Sequence, residues 1–455
     1  MEAYYNRGLA YSHKGLDDQA IADYTKAIEL KPDYFAAYNN RGLVYGIKGL
    51  YDQDITDSTK AIELKPDLAE AYYNRGYAYD GKGLHDQAIA NYTKAIEFKP
   101  DYANAYYGRG NAYDGNGLHD QAFADYTKAI ELKPDYAFGY YGRGAAYGGK
   151  GLHDQAIADF TKAIELKPDF AGAYYQRGAL YGYNGLSDQA IADFTKAIEL
   201  KPDFAGAYFL RGFTYRERKL DDQAIADSTK AIELKPDFAD AYHTRGVAYI
   251  GKGLYDQAIA DYTKAIEFKP GFAEAYGNRG NAYGAKGLYD QAIADFTKVI
   301  ELQPDYAFGY YGRGAAYGGK GLHDQAIADF TKAIELKPDD ANAYVGRGVA
   351  YERKGLHDQA IGDYSKAIEL KPDLASAYNN RAWNYHLAGQ DSQGLPDANR
   401  AIALLPKNAG VIETRAEIYE KLGQRDKAIA DYRQALSLDP SIKSAQDGLK
   451  RLGAD

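Results

Sequence analysis

Residues 18–33 read DQAIADYTKAIELKPD, and nearly the same letters return every 34 residues along the chain. Proline sets the count. Of fourteen prolines, thirteen stand at 32, 66, 100, 134, 168, 202, 236, 270, 304, 338, 372, 406 and 440, each 34 residues after the last. A fixed period in this range marks a stacked array of small units rather than ordinary domains. Numbering slots 1–34 from Met1 gives thirteen units over 1–442, starting at 1, 35, 69, 103, 137, 171, 205, 239, 273, 307, 341, 375 and 409. Residues 134–169 recur identically at 304–339, five units on.

Each unit carries two helical patterns. In the second, Ala20, Ile21, Tyr24, Ala27 and Ile28 form the apolar stripe of an amphipathic helix. Pro32 cannot continue that helix and restrains the residue before it. The first pattern, EAYYNRGLAYSHK, ends at a glycine in slot 15. Asp33 is expected to cap the next unit's first helix, and Asp17 or Asp18 the second helix. Two helices of this length are marginal in water. The glycines in the first lower its propensity further, by roughly 1 kcal/mol each. Stacking on neighbours must supply the stability, so the expected fold is an all-α solenoid.

The constant slots carry a resemblance. Slot 4 is Tyr in twelve units, slot 8 is Gly in eleven, and slot 11 is Tyr in all thirteen. Slot 20 is mostly Ala, slot 24 mostly Tyr or Phe, slot 27 Ala except Val299, and slot 32 always Pro. This spacing resembles the tetratricopeptide repeat (TPR) family. The resemblance implies a right-handed superhelix of antiparallel helix pairs whose concave surface binds extended peptides or partner elements. A small Gly8 opposite a small Ala20 is expected to let the two helices approach closely, with Tyr11 and Tyr24 beside them.

At about 100° per residue, slots 4, 7, 8 and 11 share the packed side of the first helix. Slots 2, 5, 6, 9, 12 and 13 face elsewhere, and the resemblance makes that face the groove. Candidate partner-binding residues there are Tyr5, Asn6, Asn40, Tyr73, Asn74, Tyr107, Asn111, Tyr141, Tyr175, Phe209, Asn281 and Tyr311. Rings offer large contact area at low entropy cost to an extended or proline-rich peptide. The alternative is that the slot-5 rings fill gaps between adjacent first helices. The slot-6 asparagines are similar to an asparagine ladder that grips peptide backbone in some family members, though here it is broken from Gly108 to Thr244. Charged groups on this face are mainly acidic: Glu2, Glu70, Asp80, Asp114, Asp240, Glu274, Glu413, Glu417 and Glu420. A neutral or basic protein or peptide partner is therefore expected. The family's carboxylate clamp is not, because no Lys occupies slot 2 or 5.

Slot 7 is Arg in all thirteen units, on the packed side, where the family usually has an apolar residue. Slot 23 is Asp in twelve units and Asn91 in the other. A partly buried Arg needs a partner, so each Arg is expected to meet a slot-23 Asp in its own unit or a neighbour's. His85, His119, His153, His323 and His357 all fall in slot 17 and read as turn residues. GRGAAYGGKG at 142–151 mimics a phosphate loop, but it lacks the preceding strand and the Ser or Thr after Lys.

Totals narrow the function. Lys and Arg number 55 against 64 Asp and Glu, net −9, which argues against nucleic acid as partner. With no cysteine, disulfides and thiolate metal sites are excluded. No segment has the apolar length of a membrane span, and the first residues lack a signal-peptide core, so a cytoplasmic location is expected. No catalytic constellation, cofactor motif or metal motif emerges, and a non-enzymatic scaffold is the leading expectation. The alternative is a structural protein that associates head to tail through an uncapped N-terminal repeat into homo-oligomers.

The pattern breaks in places. Asp54 and Ser58 in unit 2, and Ser228 beside the turn RERKL in unit 7, predict looser packing. Gly394 and Pro396 predict a second helix in unit 12 that begins late, with Pro396 near its first turn. Residues 443–455 read as a C-terminal capping helix.

Overall fold

The structure, a computed structural model, describes residues 1–454. Among the described residues there are twenty-seven α-helices and no strand. They fall into two compact bodies, Met1–Tyr215 and the chain from Arg216 onward. Within each body helices alternate, as in Ala69–Gly81 and His85–Phe98 of unit 3. Each packs on the next along the chain, and first helices also touch the first helices of neighbouring units. The turn between a unit's helices runs through slot 15, where Gly15 has φ +67° and Gly321 φ +80°. Glycine adopts this left-handed conformation without penalty. Unit 7 has Lys219 there, at φ 58°.

The helix starts differ from expectation. Slots 34 and 16 are the N-cap positions, held for example by Tyr34 and Leu16 with no side-chain bond. Asp33 stands one residue too early to reach the first-turn amides. Asp17 and Asp18 lie inside the first turn, where a carboxylate meets the positive end of the helix dipole. Side-chain caps form where slot 34 itself is polar: Asp340 accepts from the Asn342 amide at 3.0 Å, and Asn408 from the Val411 amide at 3.1 Å.

The slot-24 ring joins units. A methyl group on Gly8 would lie 2.8 Å from the Tyr24 ring, so slot 8 makes room for that ring rather than for Ala20. The next unit's slot 6 meets the same ring from the other side: a methyl on Gly108 would lie 2.6 Å from Tyr92, and one on Gly142 2.7 Å from Tyr126. Each ring is thus wedged between its own first helix and the following one.

A second tie is ionic. Arg177 Nε donates to Asp193 Oδ2 and Nη2 to Oδ1, both at 2.8 Å, within one unit. Its Nη1 donates to Thr161 Oγ1 of the preceding unit at 3.0 Å. The guanidinium carbon lies 5.7 Å from the centroids of both Tyr174 and Tyr181, one turn before and after on its own helix. The arrangement recurs at Arg41, Arg109, Arg245, Arg279 and Arg347. The side chains of Arg177 and Asp193 are 16% and 8% exposed, so the pair is largely withdrawn from water. In unit 3 the carboxylate is replaced: Arg75 Nε donates to Asn91 Oδ1 at 2.8 Å.

The irregular units are filled rather than loose. Asp54 and Ser58 are fully buried, and Ser58 Oγ donates to Asp54 Oδ1 at 2.7 Å. Where slot 24 shrinks to Ser58, Ser228 or Ala398, the next slot 6 is the buried Asn74, Thr244 or Thr414, whereas a full ring is followed by glycine or by a side chain that stays partly exposed, such as Asn40 or Gln176. Volume lost on one side of the unit boundary returns on the other. Asp54 Oδ2 and Ser228 Oγ are buried there without a partner. Burial pushes the Asp54 carboxyl up to about 7, and the nearby Asp57 adds to the rise. In unit 12 the helix Asp391–Leu404 begins in the usual slot, and Pro396 lies inside it. The Gln390 carbonyl accepts from the Gln393 and Gly394 amides, so the first turn closes before the proline is reached. Within the expected cap segment 443–455, the helix Lys443–Arg451 lays Ala445 and Leu449 on Tyr432 and Ala428; Asp455 lies outside the described residues.

Removing one partner of a buried pair leaves the other charge uncompensated. Asp193→Ala should therefore destabilise by about 3 kcal/mol, whereas Asn91→Asp should add about 1 kcal/mol, both read by urea unfolding. Lys219→Gly should raise stability by about 1 kcal/mol by relieving the left-handed lysine. Asp54 binds its proton more tightly folded than unfolded, so its ionisation opposes folding. Stability should be full below the ordinary carboxylate range and fall as pH rises from about 4 to 7, by roughly 3 kcal/mol. Asp54→Ala should remove that component of the pH dependence in thermal melts.

Candidate functional site

The slot-5 rings are half-buried, and most are braced between the slot-24 ring of their own second helix and the slot-34 ring that leads into the next unit. Tyr5 lies 5.9 Å from Tyr24 and 5.0 Å from Tyr34, centroid to centroid. Tyr73 sits likewise between Tyr92 and Tyr102, Tyr141 between Phe160 and Phe170, and Tyr175 between Phe194 and Phe204. Tyr107 meets Tyr126, Tyr136 and Phe138. Tyr311 meets Phe330, and Phe209 meets Phe213. These rings fill the gap between units while keeping part of their surface open. Burial pushes the Tyr73 phenol up to about 12. His243 takes the ring's place in unit 8, and burial, aided by Arg216, pushes it down to about 4. It is therefore neutral near pH 7, and its Nε2 accepts from Asn278 Nδ2 at 2.9 Å.

The slot-6 asparagines reach back to the previous unit. Asn40 Nδ2 donates to Tyr5 Oη at 2.9 Å, and the buried Asn74 donates to the Asn39 carbonyl at 3.2 Å. Asn111, in slot 9, instead accepts through Oδ1 from Tyr126 Oη of its own unit at 2.9 Å. Asn6 and Asn281 are exposed. Among the acids, Glu70 and Asp240 pair with Lys99 and Lys269, Asp80 and Asp114 with His85 and His119, and Glu420 with Arg451. The slot-17 histidines are the first residues of second helices, such as His85–Phe98, rather than turn residues. Among the described residues no group of three or more His, Asp or Glu is placed to hold a metal ion. No described helix is long and apolar enough to cross a membrane.

Of slot 9 the candidate set held only Asn111 and Asn281, and missed its apolar members. Leu43, Tyr77, Phe213 and Val349 are 37–40% exposed there, and Phe138 in slot 2 is 39% exposed. The available signal was variation: slot 9 changes from unit to unit while slots 4, 8 and 11 hold constant. Slot 9 of unit 12 is Trp383, the only tryptophan in the chain. It lines a cleft of ≈ 630 Å³ with Ser376, Asn379, Asn380, Asn408, Glu413, Thr414, Glu417 and four other residues of units 12 and 13 and the last helix. Asn379 Oδ1 is buried there without a partner. Glu417 lies 3.5 Å from His386 Nε2, whose Nδ1 meets Asp391 at 2.6 Å. Burial, then Glu413, raises the Glu417 carboxyl above the ordinary range.

Family models tile the chain. One described as "Tetratricopeptide repeat" matches residues 2–34, 103–136, 137–170, 171–204, 273–306 and 414–442. Others of the same description match 311–375, and 35–68 with 205–238, while a "TPR repeat" model matches 81–117 and 248–287. No curated protein matches the chain. Among solved structures, the anaphase-promoting-complex hetero-tetramer Cut9–Hcn1 is 16% identical, covering 98% of this chain and 95% of that one at TM-score 0.47. YrrB, described as a TPR protein with an unusual peptide-binding site, is 28% identical, covering 40% and 95% at TM-score 0.36. MamA is 36% identical, covering 35% and 94% at TM-score 0.32. Helix pairs and constant slots run from the first unit to the last, and the family models match most of the chain outside 376–413; the chain belongs to the tetratricopeptide repeat family.

Proposed function

We propose that this protein is an interaction scaffold, and that an extended partner segment lies along the open face of its first helices. The observation that carries this reading is the contrast between slots. On the first helices the constant slots 4, 7, 8 and 11 are packed or tied to their neighbours, whereas exposed apolar side chains stand on the variable slots 2 and 9; the exposed leucines at the turns, such as Leu16 and Leu152, occupy a slot that hardly varies. Apolar side chains repeated on one face of successive elements mark an interaction surface rather than a solvated one. Tyr5, Tyr73, Tyr107, Tyr141, Tyr175, Phe209 and Tyr311 border that face with the open part of their rings, and Asn6 and Asn281 add exposed amides. Asn40, Asn74 and Asn111 support it from beneath, through bonds to neighbouring residues. No chemistry is assigned to the chain itself: its task is to hold a protein or peptide.

Photo-crosslinking tests this without disturbing the packed rings. Benzoylphenylalanine placed at Tyr77, Phe138 or Asn281 should give partner adducts in cells. The same group at the outward Lys128 or Glu165 of second helices should give few. Equal adducts from both surfaces would reject the groove.

A further inference from the structure

We propose that the cleft between units 12 and 13 is a subsite for an arginine or lysine side chain carried on an extended segment of a partner protein. This rests on the groove reading above and specifies what the groove takes at one place.

Glu413 and Glu417 are four residues apart on the helix Ala409–Lys421, so both carboxylates face the cleft from one side. No Lys or Arg is among the lining residues. Glu413 forms no hydrogen bond or ion pair among the described residues. Glu417 has only His386 beside it, and that ring already serves Asp391. Arg451, the nearest guanidinium to act on Glu417, is held by Glu420 at 2.9 Å through two bonds. Two half-buried carboxylates therefore share a concave site without a dedicated cation, in contrast to Glu70 and Asp240, which have lysines. A visiting cation would relieve both their mutual repulsion and their burial.

A further feature selects an organic cation over a metal ion. The half-buried indole of Trp383 lines the same cleft, and a guanidinium or ammonium group is drawn to an indole face.

Because Trp383 is the sole tryptophan, its emission reports on this cleft alone. The full chain is titrated with capped heptapeptide pools that are random except for a central arginine, citrulline or glutamate. The arginine pool should shift Trp383 emission and weaken with added salt. The neutral citrulline pool should bind about tenfold more weakly or worse, and the glutamate pool not at all. Glu413→Gln with Glu417→Gln should reduce arginine binding by at least about tenfold, while Glu165→Gln with Glu199→Gln, on second helices elsewhere, should not. Thermal melts of each variant check folding, and Glu413→Gln alone decides if the double variant melts early. Equal binding of arginine and citrulline pools, no response of Trp383 to either, or undiminished binding by a folded Glu413 variant would overturn the proposal. Adducts at Tyr77 and Phe138 with a silent Trp383 would reject this subsite and leave the groove standing; the reverse would reject the groove.

Discussion

The slot-7 guanidinium is the point on which the stack depends. A planar cation with five donors can meet two surfaces at once. In Arg177 one edge takes both oxygens of Asp193, and the remaining nitrogen reaches Thr161 in the preceding unit. The two tyrosines one turn away cover its faces. A single side chain therefore fixes the angle between a unit's helices and the register of that unit on its neighbour. An apolar residue in that slot would pack but would leave register to shape alone. The desolvation of such a pair is offset by its hydrogen bonds, which accounts for the linked occupancy of slots 7, 23 and 25, although Arg143 holds Asp159 while Thr127 Oγ1 has no partner.

The slot-24 ring does the apolar part of the same task. It is wedged between glycine in its own unit and slot 6 of the next, so helices of different units approach a shared ring rather than each other. That geometry explains why small residues gather in the first helix despite their poor helix propensity. It also explains the coupling across unit boundaries, where a ring reduced to Ser58 or Ser228 is matched by the buried Asn74 or Thr244. Cohesion placed in a few constant slots frees the others. Slots 2 and 9 vary because the stack makes no repeated demand on them, and variable, exposed positions on a rigid scaffold are where recognition is placed.

Much of this was legible in the chain. Proline spacing and apolar stripes determine the helix pairs, and the shared occupancy of slots 7 and 23 pointed to the Arg–Asp pair. Other features were hidden by length scale. Whether a capping residue sits at slot 33 or 34 is a matter of one residue, which a pattern read from side-chain type does not resolve; Asp340 and Asn408 cap because they stand at 34. The slot-6 asparagines looked free on a helical wheel, yet Asn40 and Asn74 turn back to the previous unit, a contact no wheel of one helix contains. The cleft at Trp383 likewise draws its walls from two units and the helix after them.

The duplicated stretch separates the two kinds of information. Residues 134–169 and 304–339 are the same letters and form the same helices, Ala137–Gly149 with His153–Leu166 and Ala307–Gly319 with His323–Leu336. Their neighbours differ. Tyr141 packs on Phe170, but Tyr311 faces a unit that begins with Asp340 and has Phe330 as its ring partner. Gly149 borders open space, whereas a methyl on Gly319 would lie 2.4 Å from Tyr289. His153 meets Tyr183 and Asn184, while His323 Nδ1 is buried without a partner. The sequence by itself determined which stretches are helical, which face is apolar and that slot 7 pairs with slot 23, because those follow from spacing within about 34 residues. Which glycine is required, which ring is braced and which cleft is left open for a guest was decided only by tertiary structure, because each depends on the unit that happens to be stacked beside it.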